Sequence, residues 1–275
     1  MVLGRSFRAY FRVRPWGFVD ALRLFSAFAR SVFLRVAIPS RFQSVGLVTR
    51  GTQNLHVVVD GIDFEVRPRT NDLDLISPKH EPLTTSWFRV RANDVVVDVG
   101  AHIGRYALMA AANEATVIAI EPDPSNFRLL EKNVKLNGRA NVVLVPQAMT
   151  AKPGMLQLLP APPTNTGTSS VEPDNMESRW NPNVKSKIRV AGETLDNIVK
   201  AYRLSRIDWL KIDVEGHEIA VLEGANSALD ITRRLILEVT NVTDEECRRI
   251  VEEHGFGLVA VEPGNPASTW LLSKS

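Results

Sequence analysis

Apolar positions change their period twice along this chain, and each change marks a different kind of structure. Over residues 17–37, Phe18, Leu22, Phe25, Ala29, Val32 and Val36 recur at alternating steps of four and three, which lines them along one helical stripe. Asp20, Arg23, Arg30 and Arg35 interrupt the stretch, so it predicts an amphipathic helix rather than a membrane span. Next, LHVVVD and IDFEVR flank Asp60 and Gly61, a pair that accepts the positive φ angles of a two-residue turn, and together they predict a β-hairpin. From Asp94 onward, short apolar runs alternate with helical segments, the pattern of a mostly parallel sheet covered on both faces.

The predicted strands of that region are 95–99, 116–120 and 142–145, followed by KIRV, IDWLKID, LILEV, GLVAV and STWLL. Helices are predicted over 103–113, 124–137, 194–202, 216–224 and 243–254. Between Pro160 and Asn183 the chain is rich in Pro, Asn, Thr and Ser and reads as a long loop, either a cover for a site or a solvated excursion. The expected organisation is a basic helical segment (1–42), a β-rich extension (43–93) and an α/β domain (94–275).

Composition narrows the class. With 275 residues, 44% hydrophobic and 23% charged, the chain is a globular protein, neither disordered nor a multi-pass membrane protein. Its net charge of +2 hides an asymmetry: residues 1–50 hold nine arginines against the single acid Asp20, a net +8 that leaves −6 for the remainder. An acidic body argues against nucleic acid as a partner of the catalytic part. The basic arm has three readings: a helix docked on the main domain, a helix lying on an anionic membrane surface, or a cleaved targeting segment. The lone Cys247 has no partner for an internal disulfide and reads as a buried small hydrophobe, so a reducing, cytoplasmic setting is expected, with peripheral contact at the inner membrane face as an option.

Three clusters carry candidate chemistry. In VVVDVGAHIG, Asp98, Gly100 and Gly104 stand where an apolar strand gives way to a helix; Gly100 permits a tight bend close to a ligand and Gly104 close helix packing. A dinucleotide loop would need glycine at position 102, where this chain has His102, so a cofactor without a pyrophosphate fits better. Glu121 ends the next apolar strand, 23 positions after Asp98, at the place from which an acid accepts hydrogen bonds from ribose hydroxyls. The third cluster is WLKIDVEGHE, which brings Lys211, Asp213, Glu215, His217 and Glu218 to a strand end. Lys211 and Asp213 share a strand face by their spacing, as a catalytic pair or as a structural ion pair. His217 reads as a base or as an exposed residue at a helix start.

VVVDVGAHIGRYAL, EPDPSNFRLLEKNVKLNG, the TLD of GETLDNI and LKIDVEGHEIAVLEGA, in that order, resemble the FkbM-type methyltransferases. The resemblance runs from about Asp94 to Val239. It implies the class I methyltransferase fold, a Rossmann-like α/β architecture with a mostly parallel seven-stranded sheet and helices on both faces, here preceded by the helix and hairpin. It also implies S-adenosylmethionine as methyl donor and O-methylation of a hydroxyl on a sugar, polyketide or other secondary metabolite. On this resemblance the cofactor is expected to meet Asp98, Gly100, Ala101, His102, Gly104, Glu121, Pro122, Ala148 and Asp213, and the acceptor Glu215, Glu218 and Tyr106. The chain departs from the family pattern at Ala101-His102 and at TTSWF before the first domain strand.

Methyl transfer to a hydroxyl is an in-line displacement helped by a base. Asp213 is the first candidate and His217 the second, with Lys211 stabilising charge. Asp213 and Glu215 have turn and capping roles available, and no metal is expected. The rival readings are an RNA or protein methyltransferase, against which the absence of an N-P-P-[YFW] motif counts, and an adenosyl-binding module without turnover.

Overall fold

Strand β1 (Val13–Pro15) leads into the 20-residue helix α1 (Phe18–Ala37), and β1 pairs antiparallel with β2 (Leu55–Val59), which pairs with β3 (Ile62–Val66). These and the following elements come from a computed structural model that describes residues 13–37, 44–171, 187–240, 242–264 and 267–274. The predicted hairpin turn is present, with φ of 52° at Asp60 and 83° at Gly61, the geometry that matches strand twist in a two-residue connection. Helix α1 docks on this sheet, but not by the predicted stripe. The face carrying Ala27 and Ser31, flanked by Leu24, Phe28 and Leu34, packs inward. Phe18, Leu22, Phe25, Phe33 and Val36 point outward. The small Ala27 and Ser31 permit close approach, and Arg23 and Arg30 clamp the helix by donating to the carbonyls of Arg50, Gln53, Asn54 and Val48.

Two short helices the periodicity did not announce, α2 (Asp72–Leu75) and α3 (Pro82–Trp87), precede the main sheet. Then β4 (Val95–Val99), α4 (Arg105–Ala112), β5 (Thr116–Ile120), α5 (Pro124–Leu136) and β6 (Val142–Val145) alternate as expected. The next three strands, β7 (Ala148–Met149), β8 (Gly154–Leu158) and β9 (Ile188–Glu193), form a separate small sheet in the order β7-β9-β8, so KIRV does not join the main one. The chain returns through α6 (Leu195–Ala201), β10 (Ile207–Ile212), α7 (Glu218–Glu223), α8 (Asn226–Asp230), β11 (Thr232–Thr240), α9 (Asp244–Glu253), β12 (Phe256–Glu262) and β13 (Ala267–Lys274).

The main sheet has seven strands in the order β12-β13-β11-β10-β4-β5-β6. Strands β11, β10, β4, β5 and β6 run parallel, while β13 is antiparallel to both its neighbours. Alternate residues of each parallel strand feed two cores. Val96 and Trp209 join Leu108, Leu130 and the hairpin residues Val57 and Phe64 on one side; Val97, Ile118, Leu210 and Leu235 join Leu222 and Val251 on the other. The hairpin thus shares a core with the α/β domain.

Its outer edge is closed by α5. Asn133 accepts from the Glu65 N–H (2.7 Å) and donates to the Ile103 carbonyl (2.9 Å), and Asn137 accepts from the Asp63 N–H (2.9 Å) and donates back to the Asp63 carbonyl (2.7 Å). Two amides one helical turn apart thereby satisfy a strand edge that would otherwise present unpaired groups. Asp123 caps α5 by accepting from Ser125 and Asn126, with Pro124 at the first helical position. Strand order reverses between β4 and β10, so a crevice opens beyond their carboxyl ends. Among the described residues no helix is long and apolar enough to cross a membrane.

Candidate active site

The crevice at the carboxyl ends of β4, β5, β10 and β11 has a volume of about 490 Å³. Its floor is the bend after β4. Gly100 has φ of 85°, and a Cβ there would lie 1.8 Å from the Asp213 carbonyl oxygen, so the glycine loop and the β10 end touch through their backbones. Gly104 serves packing alone: a Cβ would meet Leu130 at 2.8 Å, and the residue does not line the crevice.

Asp98 is 1% exposed; the Ala107 N–H faces its carboxylate, but neither oxygen has a partner at full hydrogen-bond geometry. Burial pushes its pKa up to about 6, and the nearby Lys211 ammonium opposes that rise. A buried acid without a full set of partners is the observation that calls for a cationic donor from a ligand. Glu121, also buried, accepts from the backbone N–H groups of His102 and Asp123, each at 2.8 Å through a different oxygen. Burial lifts it to about 8, with those N–H groups pulling the other way. Each oxygen keeps a lone pair that a ribose hydroxyl would use.

Lys211 and Asp213 do meet, Nζ to Oδ2 at 2.7 Å, with Lys211 only 4% exposed. Burial works against its charge, but Asp213, Asp98 and Glu81 outweigh it and hold the ammonium protonated. The ammonium also lies 5.1 Å from the centre of the Tyr106 ring. Tyr106 donates to Glu81 at 2.6 Å; burial would raise Glu81, yet the hydrogen bond and charge of His80, then Lys211, hold it below the usual carboxylate range. Glu215, in a turn with φ of 55°, and Glu238, at the β11 end, complete an acidic group in which oxygens of Asp213, Glu215 and Glu238 lie within 4.8 Å of one another. Burial and then Asp213 drive Glu215 and Glu238 well above their ordinary values, and Glu238 is hydrogen-bonded to Asp213. Three carboxylates have the donor chemistry of a hard-cation site. Here Lys211 pairs with Asp213, and burial with the neighbouring acids favours the protonated forms of the other two.

Other expected residues are placed differently. His217 is buried rather than exposed, its Nε2 3.1 Å from Thr150 Oγ1, at the edge of the crevice. Glu218 faces away from the crevice, accepting from the Gly216 N–H at 2.8 Å. Ala101, Pro122 and Ala148 line the wall. The His102 ring, with its pKa pushed down to about 4 by burial, reaches Thr166 Oγ1 at 3.1 Å. That contact belongs to a strap made by the described part of the predicted long loop; the rest of it, 172–183, lies outside the described residues. Thr166 donates to Asp72, Ser169 to Asp123 and Ser170 to the Glu215 carbonyl.

Glu81 and Glu238 escaped the sequence reading, whereas the strap falls in the long loop read as either a cover for a site or a solvated excursion. Glu238 had a signal, an acid closing the apolar run LILEV under the same strand-end rule that picks out Asp213. Glu81 had none, because a left-handed turn at φ of 46° carries it into the crevice.

A glycine bend beneath a buried acid, with a second acid ending the neighbouring strand and a reversed β13 in the sheet, is the arrangement of the class I methyltransferases. The family model described as the methyltransferase FkbM domain matches residues 98–258, and the chain belongs to that family. It is similar to the hexuronic acid methyltransferase AglP of Haloferax volcanii, 28% identical over 164 residues that cover 58% of this chain and 62% of that protein. It is also similar to the 31-O-demethyl-FK506 methyltransferase FkbM of Streptomyces tacrolimicus, at 29% identity over 62% of this chain and 75% of that one. A third relative, methyltransferase sdnD of Sordaria araneosa, is 26% identical over 61% and 75%. The cofactor of the family is S-adenosylmethionine, and the incompletely satisfied carboxylate of Asp98, the Gly100 cradle and Glu121 have the chemistry to fit its ammonium and its ribose.

Proposed function

We propose that the protein O-methylates a hydroxyl of a glycan, a lipid-linked sugar or a secondary metabolite. The observation that carries this reading is the 2.7 Å Lys211–Asp213 pair, set against the cofactor bend by the contact of Gly100 with the Asp213 backbone. When bound, S-adenosylmethionine supplies an electrophilic methyl group whose bond to sulfur breaks with the electron pair leaving on sulfur. Asp98 receives its ammonium, Glu121 its ribose, and Ala101, His102, Pro122 and Ala148 the surfaces between. Asp213 accepts the acceptor hydroxyl's proton as its oxygen attacks, and the Lys211 ammonium, 2.7 Å away, stabilises the negative charge of the site. Tyr106, Glu215 and Glu238 orient the acceptor through hydrogen bonds, and the 165–170 strap excludes water.

A crevice lined by Asp98, Glu81, Asp213, Glu215 and Glu238, whose Lys211 is already paired with Asp213, offers little cationic charge to a phosphate track, which favours a hydroxyl-bearing acceptor over RNA. The relatives named for a hexuronic acid and for a macrolide hydroxyl point the same way. The test is a methyl-release assay with labelled S-adenosylmethionine against a panel of glycosides, macrolides and tRNA. Transfer to a hydroxyl compound that falls about 100-fold or more in Asp213→Asn supports the proposal. Transfer to tRNA alone, or cofactor binding without transfer to any member, contradicts it.

A further inference from the structure

The outward stripe of α1 has no part in the fold or in the crevice. Phe18 is 78%, Phe25 72%, Val36 71% and Phe33 60% exposed, with Leu22 between them at 54%. At helical spacing these five side chains form one continuous apolar edge on an element about 30 Å long. Trp16, also exposed, precedes the helix and stacks on His56 at 4.5 Å. Single exposed apolar side chains are ordinary; an aligned row of this length marks a contact surface.

Charge identifies the occupant. The first 50 residues carry nine arginines and one acid. Arg23 and Arg30 spend their guanidinium groups on the clamp that holds α1 to the 48–54 segment, which leaves the helix fixed in orientation with its apolar edge outward. Arg14, in the strand that precedes α1, and Arg35, in its last turn, are both exposed. A second copy docking edge to edge would bring two segments of net +8 together, and their repulsion opposes such a pair. An anionic bilayer complements both features, since phenylalanines enter the interface while arginines meet lipid phosphates. The geometry points to α1 as an in-plane membrane anchor, bound by its Phe18–Phe25–Phe33 edge to the surface of an anionic lipid bilayer. This inference does not depend on which acceptor is methylated.

The test is co-sedimentation of the full chain with vesicles of phosphatidylglycerol and phosphatidylcholine, and with phosphatidylcholine alone. We expect binding to the anionic vesicles that is about tenfold or more weaker on neutral ones, as several arginines near the surface imply. The triple variant Phe18→Ser, Phe25→Ser, Phe33→Ser is expected to lose at least about tenfold in partitioning. Arg35→Gln is expected to reduce the preference for anionic lipid. Calorimetry with S-adenosylmethionine on the same variants reports whether each still folds, and the single Phe25→Gln substitutes for the triple if that one does not. Wild-type protein remaining in the supernatant, or variants that bind vesicles as wild type does, would overturn the anchor. So would sedimentation velocity showing a lipid-free dimer that these substitutions dissociate, which would assign the edge to a second copy.

Discussion

The α-carbon of Gly100 stands so close to the carbonyl oxygen of Asp213 that no side chain fits between them, and a Cβ would approach that oxygen to 1.8 Å. This contact couples the two halves of the site, because the loop that bends under the cofactor rests directly on the strand end that presents the acidic group. Gly100→Ala must move one or the other and must also hold φ near 85°, where a side chain is strained. Calorimetry is expected to show cofactor affinity reduced by about 100-fold or more, equivalent to about 3 kcal/mol. Unchanged affinity in a folded variant would mean that the loop has room the structure does not show.

Asp213→Asn keeps the shape of the strand end but removes the proton acceptor. Turnover is expected to fall by about 100-fold or more, with cofactor affinity changing far less. Steady-state kinetics beside calorimetry separates the two effects. A proportional loss in both would assign Asp213 to cofactor binding alone.

Glu121, Glu215 and Glu238 give the ligand-free protein a pH dependence of definite sign. Unfolded, these carboxyls ionise near 4.5; folded, Glu121 keeps its proton up to about pH 8, and the other two are also raised by burial. Between those values the folded state binds more protons than the unfolded one, so stability declines as pH rises. The melting temperature is expected to be lower at pH 9 than at pH 6, and Glu121→Gln is expected to flatten the slope. A melting temperature that climbs across this range would contradict the protonation scheme.

Asn133 holds the β3 edge and the Ile103 carbonyl at once. Asn133→Leu leaves both groups buried without partners, and a loss of about 2–3 kcal/mol in unfolding free energy is expected from urea titration.

The Lys211 ammonium pairs with Asp213, and burial favours the protonated forms of Glu215 and Glu238, which lowers the group's demand for a cation. Dialysis against a chelator is therefore expected to leave methyl transfer unchanged. Loss of transfer that magnesium restores would instead make the three carboxylates a cation site.

Most of the site was readable from the sequence because parallel strands buried on both faces are unbroken apolar runs, so an acid at a run's end stands out. Asp98, Glu121 and Asp213 were found this way, and Glu238 obeys the same rule. Glu81 did not stand out, since a left-handed turn and the packing of α3 place it in the crevice from outside the alternating region. Periodicity showed that α1 has an apolar stripe but not which way it faces; the opposite side, with Leu24, Ala27 and Ser31, packs more closely because its residues are smaller. The β7-β9-β8 sheet was missed as a unit because its longest-range pairing joins segments separated by the Pro/Asn-rich loop.

Calorimetric titration of S-adenosylmethionine into wild-type protein, Asp98→Asn and Glu121→Gln tests the central assignment most directly. One site per chain is expected, with affinity lowered by about tenfold or more in each variant, because Asp98→Asn loses the charged partner of the ammonium and Glu121→Gln replaces an acceptor for the ribose hydroxyls with an amide donor. Wild-type affinity in both variants would place the cofactor somewhere other than between these two acids.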